Sequence, residues 1–260
     1  MEMKTRTSLT IAFILLIFAW QSNITEGQVV TDGLVSYWSF DESSIDGATA
    51  KDVWGNNNGT IVGDPGIVEG MVGEALDFDG VDDYVDCGND DSLNITEAIT
   101  IEFWIFPREN AENRHVISRG EWAAGGYWIQ HSDPGNVGGL YFYMDGVYQN
   151  FIVPAGSSEL NIWHHFLLTY DGSMVKSYKN GEFLNEANAE GTITEKDINF
   201  MISRYAGGDL HHIDGIIDEV RVYNKALNED EVMQNFASEG MAVYNSEDKL
   251  STAWGKIKEL

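Results

Sequence analysis

Apolar and polar residues alternate in short runs along most of the chain, and Gly, Asn and Asp separate one run from the next. A period of two marks an extended strand whose successive side chains face opposite ways. In 99–107, Thr100, Glu102, Trp104 and Phe106 share one face, and Ile101, Phe103 and Ile105 share the other. Both faces are largely apolar, which places this segment inside a sheet that is covered on both sides. Met144-Asp145-Gly146 before Gln149–Val153, Tyr170-Asp171-Gly172, and Lys179-Asn180-Gly181-Glu182 each mark a turn between strands. The Asn-Gly pair suits a type I′ hairpin turn, which needs positive φ at both central residues. One segment departs from the period of two. Asn228 is a capping residue, Glu229, Asp230 and Glu231 complement a helix dipole, and Val232 and Phe236 share a helical face. The pattern therefore predicts an all-β, two-sheet antiparallel sandwich over 33 to about 226, with one short helix starting near Asn228.

The stretch from His212 to Asn228 carries the sharpest chemical signal. Strict alternation puts Ile216, Val220 and Val222 on one side and Ile213, Ile217, Glu219, Arg221 and Tyr223 on the other. Asp218 then falls on the apolar face with Ile216, Val220 and Val222. A buried carboxylate is costly unless it is paired or bound to a metal.

Before the sandwich, Lys4 and Arg6 precede an apolar run from Leu9 to Trp20 and polar residues follow it, the pattern of a secretory signal peptide. Cleavage after Gly27 would start the mature secreted protein near Gln28. Residues 28–236 are then one β domain, and 237–260, with little apolar periodicity beyond Trp254 and Ile257, form a tail. Cys87 is the single cysteine, so no intrachain disulfide forms, and it is expected to pack as a small hydrophobe. The balance of 42 acidic to 15 basic residues gives a formal charge of -27. Such a surface repels phosphate backbones and anionic polysaccharides, argues against nucleic acid as a partner, and favours cations. After signal cleavage nothing in the pattern calls for a membrane.

Several motifs in order resemble the concanavalin A-like, laminin-G-like jelly-roll domains of secreted bacterial proteins. Gly33-Leu-Val-Ser-Tyr-Trp-Ser-Phe-Asp-Glu42 looks like the opening strand, and Asp52-Val-Trp-Gly-Asn-Asn-Asn-Gly-Thr60 like the Asn/Gly turn. Gly73-Glu-Ala-Leu-Asp-Phe-Asp-Gly-Val-Asp-Asp-Tyr-Val85, Ile99–Pro107, Trp163–Gly172 and the 212–228 stretch are similar to later strands. The resemblance implies a jelly-roll sandwich with a structural calcium that joins the first and last strands. Its ligands here would be Asp41, Asp218 and oxygens of the Asn56-Asn57-Asn58-Gly59 turn, with Asn56, Asn58 and Gly59 as the named contributors. Hard oxygen donors are what calcium requires. The residues alone also allow Asp41 to cap a turn and Asp218 to pair with Arg221 or a backbone amide.

Other chemistry finds no pattern. His164-His165 and His211-His212 are adjacent along strands, so neither pair can chelate one zinc ion. The Glu-x-Asp-x-x-Glu spacing of related glucanases, which would set a retaining carboxylate pair on one face, is absent, as is Gly-x-Ser-x-Gly. Aromatic residues instead crowd 120–150: Trp122, Tyr127, Trp128, Tyr141, Tyr143 and Tyr148. Aromatic faces attract the C–H faces of sugars, and Gln130, His131, Asn136 and Asp145 could bond hydroxyls. Alternation sends about half of these rings to the core. Trp122, in a Gly-flanked loop, is expected to be exposed, and Trp122, Tyr127, His131, Tyr141 and Tyr143 are the candidate ligand contacts. The sequence thus predicts a secreted, non-catalytic recognition module that binds an extracellular glycan and carries calcium. The alternative is an adhesion or structural module for a cell-surface protein; a glycan-active enzyme is disfavoured by the missing acid pair.

Overall fold

The computed structural model describes residues 28–132 and 134–244; the expected leader, residues 1–27, and residues 245–260 of the expected tail lie outside them. Two antiparallel sheets pack face to face as a jelly-roll sandwich. The eight-stranded sheet runs in the order Glu182–Asn188, Met174–Lys179, His164–Tyr170, Ile99–Pro107, Asp214–Tyr223, Glu74–Asp79 and Gly66–Glu69, with Leu34–Trp38 also paired to Asp214–Tyr223. The nine-stranded sheet runs Tyr148–Val153, Leu140–Met144, Gly125–His131, Arg114–Glu121, Met201–Ile202, Tyr84–Asp86, Gly59–Val62, Thr49–Ala50 and Ile45–Asp46. Between them lies one apolar core that includes Trp38, Phe78, Phe103, Ile105, Ile129, Phe142 and Phe166. Trp38 stacks on Phe200 at 5.3 Å and donates its indole N–H to the Asn57 carbonyl at 2.8 Å. Cys87 is buried in this core.

Ile99–Pro107 is a central strand, as its two apolar faces predict, flanked by His164–Tyr170 and Asp214–Tyr223. Its inner face joins the sandwich core. Its outer face is covered by the α-helix Glu229–Tyr244, where Phe236 stacks on Trp104 at 5.8 Å and Val232 packs with Leu167, Tyr178 and Tyr223. The helix starts where the capping pattern places it. Asn228 Oδ1 accepts from the amides of Asp230 and Glu231 at 3.0 and 3.1 Å, and Glu231 Oε2 accepts from the Asn228 amide at 2.9 Å. It runs on to Tyr244, past the boundary at 236 that fading periodicity suggested. At the Asn180-Gly181 turn both φ angles are positive, +52° and +78°, as a type I′ hairpin demands. Among the described residues no helix is long and apolar enough to cross a membrane.

The last strand departs from strict alternation. Asp218 lies opposite Trp104, but Arg221 lies opposite Glu102, so one extra residue is accommodated between them. Glu219, at φ +54°, marks this bulge. Ile217, Val220 and Val222 therefore share the core side, whereas Asp218 shares the outer side with Trp104. The expectation that Asp218 sits with Val220 and Val222 is corrected: the bulge reverses the phase between them.

Candidate functional site

Two places in the fold gather groups with chemical potential. The first lies where the last strand changes neighbour. Its first half pairs with Glu74–Asp79 and its second half with Leu34–Trp38, and the bulge falls between the two pairings. The 70–73 turn closes on two carboxylates at this point. Asp218 Oδ2 accepts from the amides of Met71 and Val72 at 2.9 and 3.0 Å, and Asp41 Oδ1 accepts from the Glu74 amide at 3.0 Å. A Cβ on Gly70 would stand 2.6 Å from Asp218 Oδ2, and one on Gly73 would collide with Asp41 Oδ1. Only glycine permits so close an approach of backbone to carboxylate.

Asp218 Oδ1 is buried and has no hydrogen-bond partner among the described residues. Burial, followed by the neighbouring Glu219 charge, pushes the Asp218 carboxyl up to about 8, against the pull of the two amides; Asp41 adds to the rise. An unpartnered oxygen beside a second carboxylate is a donor set of the kind a hard cation takes. Asp41 and Asp218, two of the expected calcium ligands, are thus bonded by one segment. The other expected ligands are exposed or otherwise engaged. Asn56 is exposed, the Asn57 carbonyl serves Trp38, Asn58 Oδ1 accepts from the Asp52 amide, and Gly59 packs against Val85 and Cys87. The Asp52 carboxylate organises that turn by accepting amides of Tyr37, Trp54, Gly55 and Asn57. The turn that meets Asp41 and Asp218 is 70–73.

Next to this point lies a buried ionic network under the helix. Arg221 is bonded to Glu219, lies over the Tyr37 ring at 4.1 Å, and has Glu102 4.0 Å away. Tyr37 donates to Glu219 Oε2 at 2.6 Å. Glu102 Oε1 meets His165 Nε2 at 2.8 Å, and Glu102 Oε2 accepts from Asn235 of the helix at 2.7 Å. Burial pushes the Glu102 carboxyl up, but His165, Arg221 and Asn235 outweigh it and hold the group below the usual carboxylate range.

The second place is on the outer face of the nine-stranded sheet. Trp128, from Gly125–His131, stacks on Tyr143, from Leu140–Met144, at 3.6 Å and 8°. Trp122 stands over this pair, 5.4 Å from Tyr143 and 6.3 Å from Trp128, and is 62% exposed. Its tight turn is clamped by two tyrosine hydroxyls: Tyr205 OH accepts from the Trp122 amide and Tyr143 OH from the Ala123 amide, both at 2.8 Å. Tyr143 OH in turn donates to Asp145 at 2.6 Å. Beside the rings is an open cleft of about 250 Å³ lined by Asn113, His115, Trp122, Trp128, Gln130, Tyr205 and His211. Gln130 Nε2 donates to Asn113 Oδ1 at 2.9 Å, and His115 packs 4.8 Å from Tyr205.

Of the candidate ligand contacts, Trp122 and Tyr143 come together here. Tyr141, partly exposed on the same face, packs edge-on against Phe151 instead. Tyr127 and His131 are corrected. Tyr127 points into the core, 1% exposed, and donates to the Leu93 carbonyl; His131 is 1% exposed, meets Ser158 at 3.1 Å, and is pushed down to about 4 by burial and by His164. The crowding of rings in 120–150 pointed to the region, but the phase of the strand decided which of them face outward. Asn113, His115, Tyr205 and His211 carry no local signal, and only the sheet brings them to Trp122.

A third group, Asp79, Asp82 and Asp83, has carboxylate oxygens within 4.8 Å of one another and could hold a metal ion. Backbone amides already occupy it: Asp83 accepts from Asp64 and Asp79, and Asp79 accepts from Val81 and Asp82.

The profile described as Concanavalin A-like lectin/glucanases superfamily matches residues 79–233. No curated protein matches the chain. Among solved structures, domain 4 of AbnA, a GH43 extracellular arabinanase from Geobacillus stearothermophilus, in complex with arabinotriose, is similar at TM-score 0.63 and 19% identity, over 78% of this chain and 98% of that one. The binding domain of Paraclostridial Mosquitocidal Protein 1 is similar at TM-score 0.62 and 20% identity, over 78% of this chain and 52% of that one. Trypanosoma rangeli sialidase is similar at TM-score 0.61 and 19% identity, over 82% of this chain and 34% of that one. The chain thus spans about half of the mosquitocidal binding domain and a third of the sialidase. At these identities the likeness is one of fold.

Proposed function

The chain belongs to the concanavalin A-like lectin/glucanase superfamily, and from that premise we propose that it is a secreted, non-catalytic glycan-binding module with a structural calcium ion. The observation that carries the glycan reading is Trp122, exposed on a turn that two tyrosine hydroxyls hold in place above a Trp128–Tyr143 stack. A rigid exposed ring beside polar amides is the arrangement that binds a sugar face and its hydroxyls with little ordering cost. The solved complex of the AbnA domain with arabinotriose supports the same reading by fold. Two features support the non-catalytic part: among the described residues the cleft lining contains no carboxylate, and the sequence lacks the paired acid and nucleophile spacing of related glucanases. Secretion rests on the charged-then-apolar pattern of residues 4–20.

Calcium would be held by Asp41 and Asp218, with the 70–73 turn fixing both carboxylates, and its chemistry there is charge neutralisation at a junction of strands. Titration calorimetry against a panel of soluble plant and bacterial oligosaccharides, arabino-oligosaccharides among them, tests the glycan reading. Trp122→Ala is expected to weaken binding about tenfold or more through lost stacking. Its melting temperature should stay within about 2 °C of the parent, because the ring is mostly in solvent. A panel with no binder would put a protein partner in front, and release of reducing sugar would overturn the non-catalytic assignment.

A further inference from the structure

Resting on the glycan reading, we propose that the Trp122 cleft selects uncharged sugars, and that Trp128 and His115 in its wall read one ring hydroxyl together. On a chain of formal charge -27, the described residues that line this cleft include no Asp, Glu, Lys or Arg. Three cations outside the lining each have a partner. Arg114 pairs with Glu109 at 2.8 Å, and Arg204 lies over the Tyr84 ring at 4.4 Å while donating to the Gly208 carbonyl. Lys196 pairs with Glu121, the residue before Trp122, at 2.9 Å. The two histidines supply no cation at neutral pH. Burial, with His211 nearby, pushes His115 down to about 3, and burial, with Arg114 and His212 nearby, lowers His211. A carboxylate brought into this cleft would lose hydration with no unpaired cation among the lining residues to replace it, and the net negative charge of the chain would oppose its approach.

Two buried polar atoms on residues that line the cleft point to what is accepted instead. The Trp128 indole N–H and His115 Nδ1 are both buried without a hydrogen-bond partner among the described residues, and their rings are 5.8 Å apart. The indole can only donate, whereas a neutral imidazole nitrogen either donates or accepts. A hydroxyl that enters between the two rings would accept from the indole and satisfy either tautomer of His115. An alkyl group would leave both atoms unpaired. With Trp122 as the stacking surface and the Gln130 and Asn113 amides alongside, the cleft suits a neutral sugar ring.

The test uses the wild-type protein and matched oligosaccharides that differ only in oxidation of the sugar, such as galactose against galacturonic acid and glucose against glucuronic acid series, by calorimetry at pH 7 and physiological salt. The neutral member of the preferred pair is expected to bind at least tenfold more tightly than its acid. Its binding should shift the Trp128 indole N–H resonance in a 1H–15N spectrum. Trp128→Phe should lose about tenfold in affinity for the same sugar; because Trp128 stacks on Tyr143, the resonance shift serves if that variant does not fold. Equal or tighter binding of the acidic members would overturn this inference alone, as would an unmoved indole N–H in a saturated complex. Failure of both series to bind would overturn the glycan reading and this inference with it.

Discussion

Replacing Arg221 by Met is expected to lower the melting temperature by roughly 6–20 °C in a calorimetric scan. Arg221 is 1% exposed and bonds Glu219, with Glu102 4.0 Å away. Met fills most of the volume but leaves the buried Glu219 without its cation and removes a charge beside Glu102, which keeps His165 and Asn235. Breaking a buried pair from one side costs about 3–5 kcal/mol, and each kcal/mol moves the midpoint of a domain this size by about 2–4 °C. Arg221→Lys should fall between the two proteins, because it keeps the charge but loses the planar fork. A loss under about 3 °C for Arg221→Met would mean that the network is not a net support of the fold.

Calcium at a hundredfold over its dissociation constant should raise the melting temperature by about 5–11 °C, since such an excess stabilises the native state by about 2.7 kcal/mol. The effect should depend on pH through Asp218. Burial sets the folded carboxyl up to about 8, above its ordinary value of 3.8. A folded value above the unfolded one means that the native state holds the extra proton between them. The stability from that proton is complete below about pH 3.8 and is lost as pH rises towards about 8. A cation displaces the proton, so the calcium increment should grow with pH over this window, and binding should release a proton seen as a buffer-dependent heat. Asp218→Asn can still accept the Met71 and Val72 amides but should lose both the increment and its pH dependence. An undiminished calcium effect in Asp218→Asn would remove Asp218 from the site.

Much of the fold was legible because period-two patterning and turn chemistry are local. The central strand at 99–107, the Asn180-Gly181 hairpin and the Asn228 cap all follow from residues within a few positions of one another. The bulge at Glu219 was not, since a glutamate at positive φ leaves no mark in the sequence; the neighbouring strands impose it. That one residue misplaced Asp218 relative to Val220 and Val222. The Gly70-Met71-Val72-Gly73 turn did carry a signal, two glycines around the amides that reach Asp218, but its importance appears only when residues 146 or more positions apart meet. The cleft shows the same limit. Trp122 was readable from its Gly-flanked loop, whereas Tyr205, which holds that loop, lies 83 positions away.

The Asn235 side chain joins three parts of the molecule, accepting from the Val30 amide and donating to Glu102 and to the Tyr223 hydroxyl. Gln234 adds a bond to the Gln28 carbonyl at 2.7 Å. The chain therefore enters the domain and leaves it along the same surface, the helix-bearing side of the eight-stranded sheet. The aromatic cleft opens on the far side of the other sheet. Gln28 and the helix residues that hold it thus lie behind the sandwich, on the side away from Trp122. A carrier joined directly before Gln28 should accordingly leave the cleft free, with glycan affinity unchanged by the fusion.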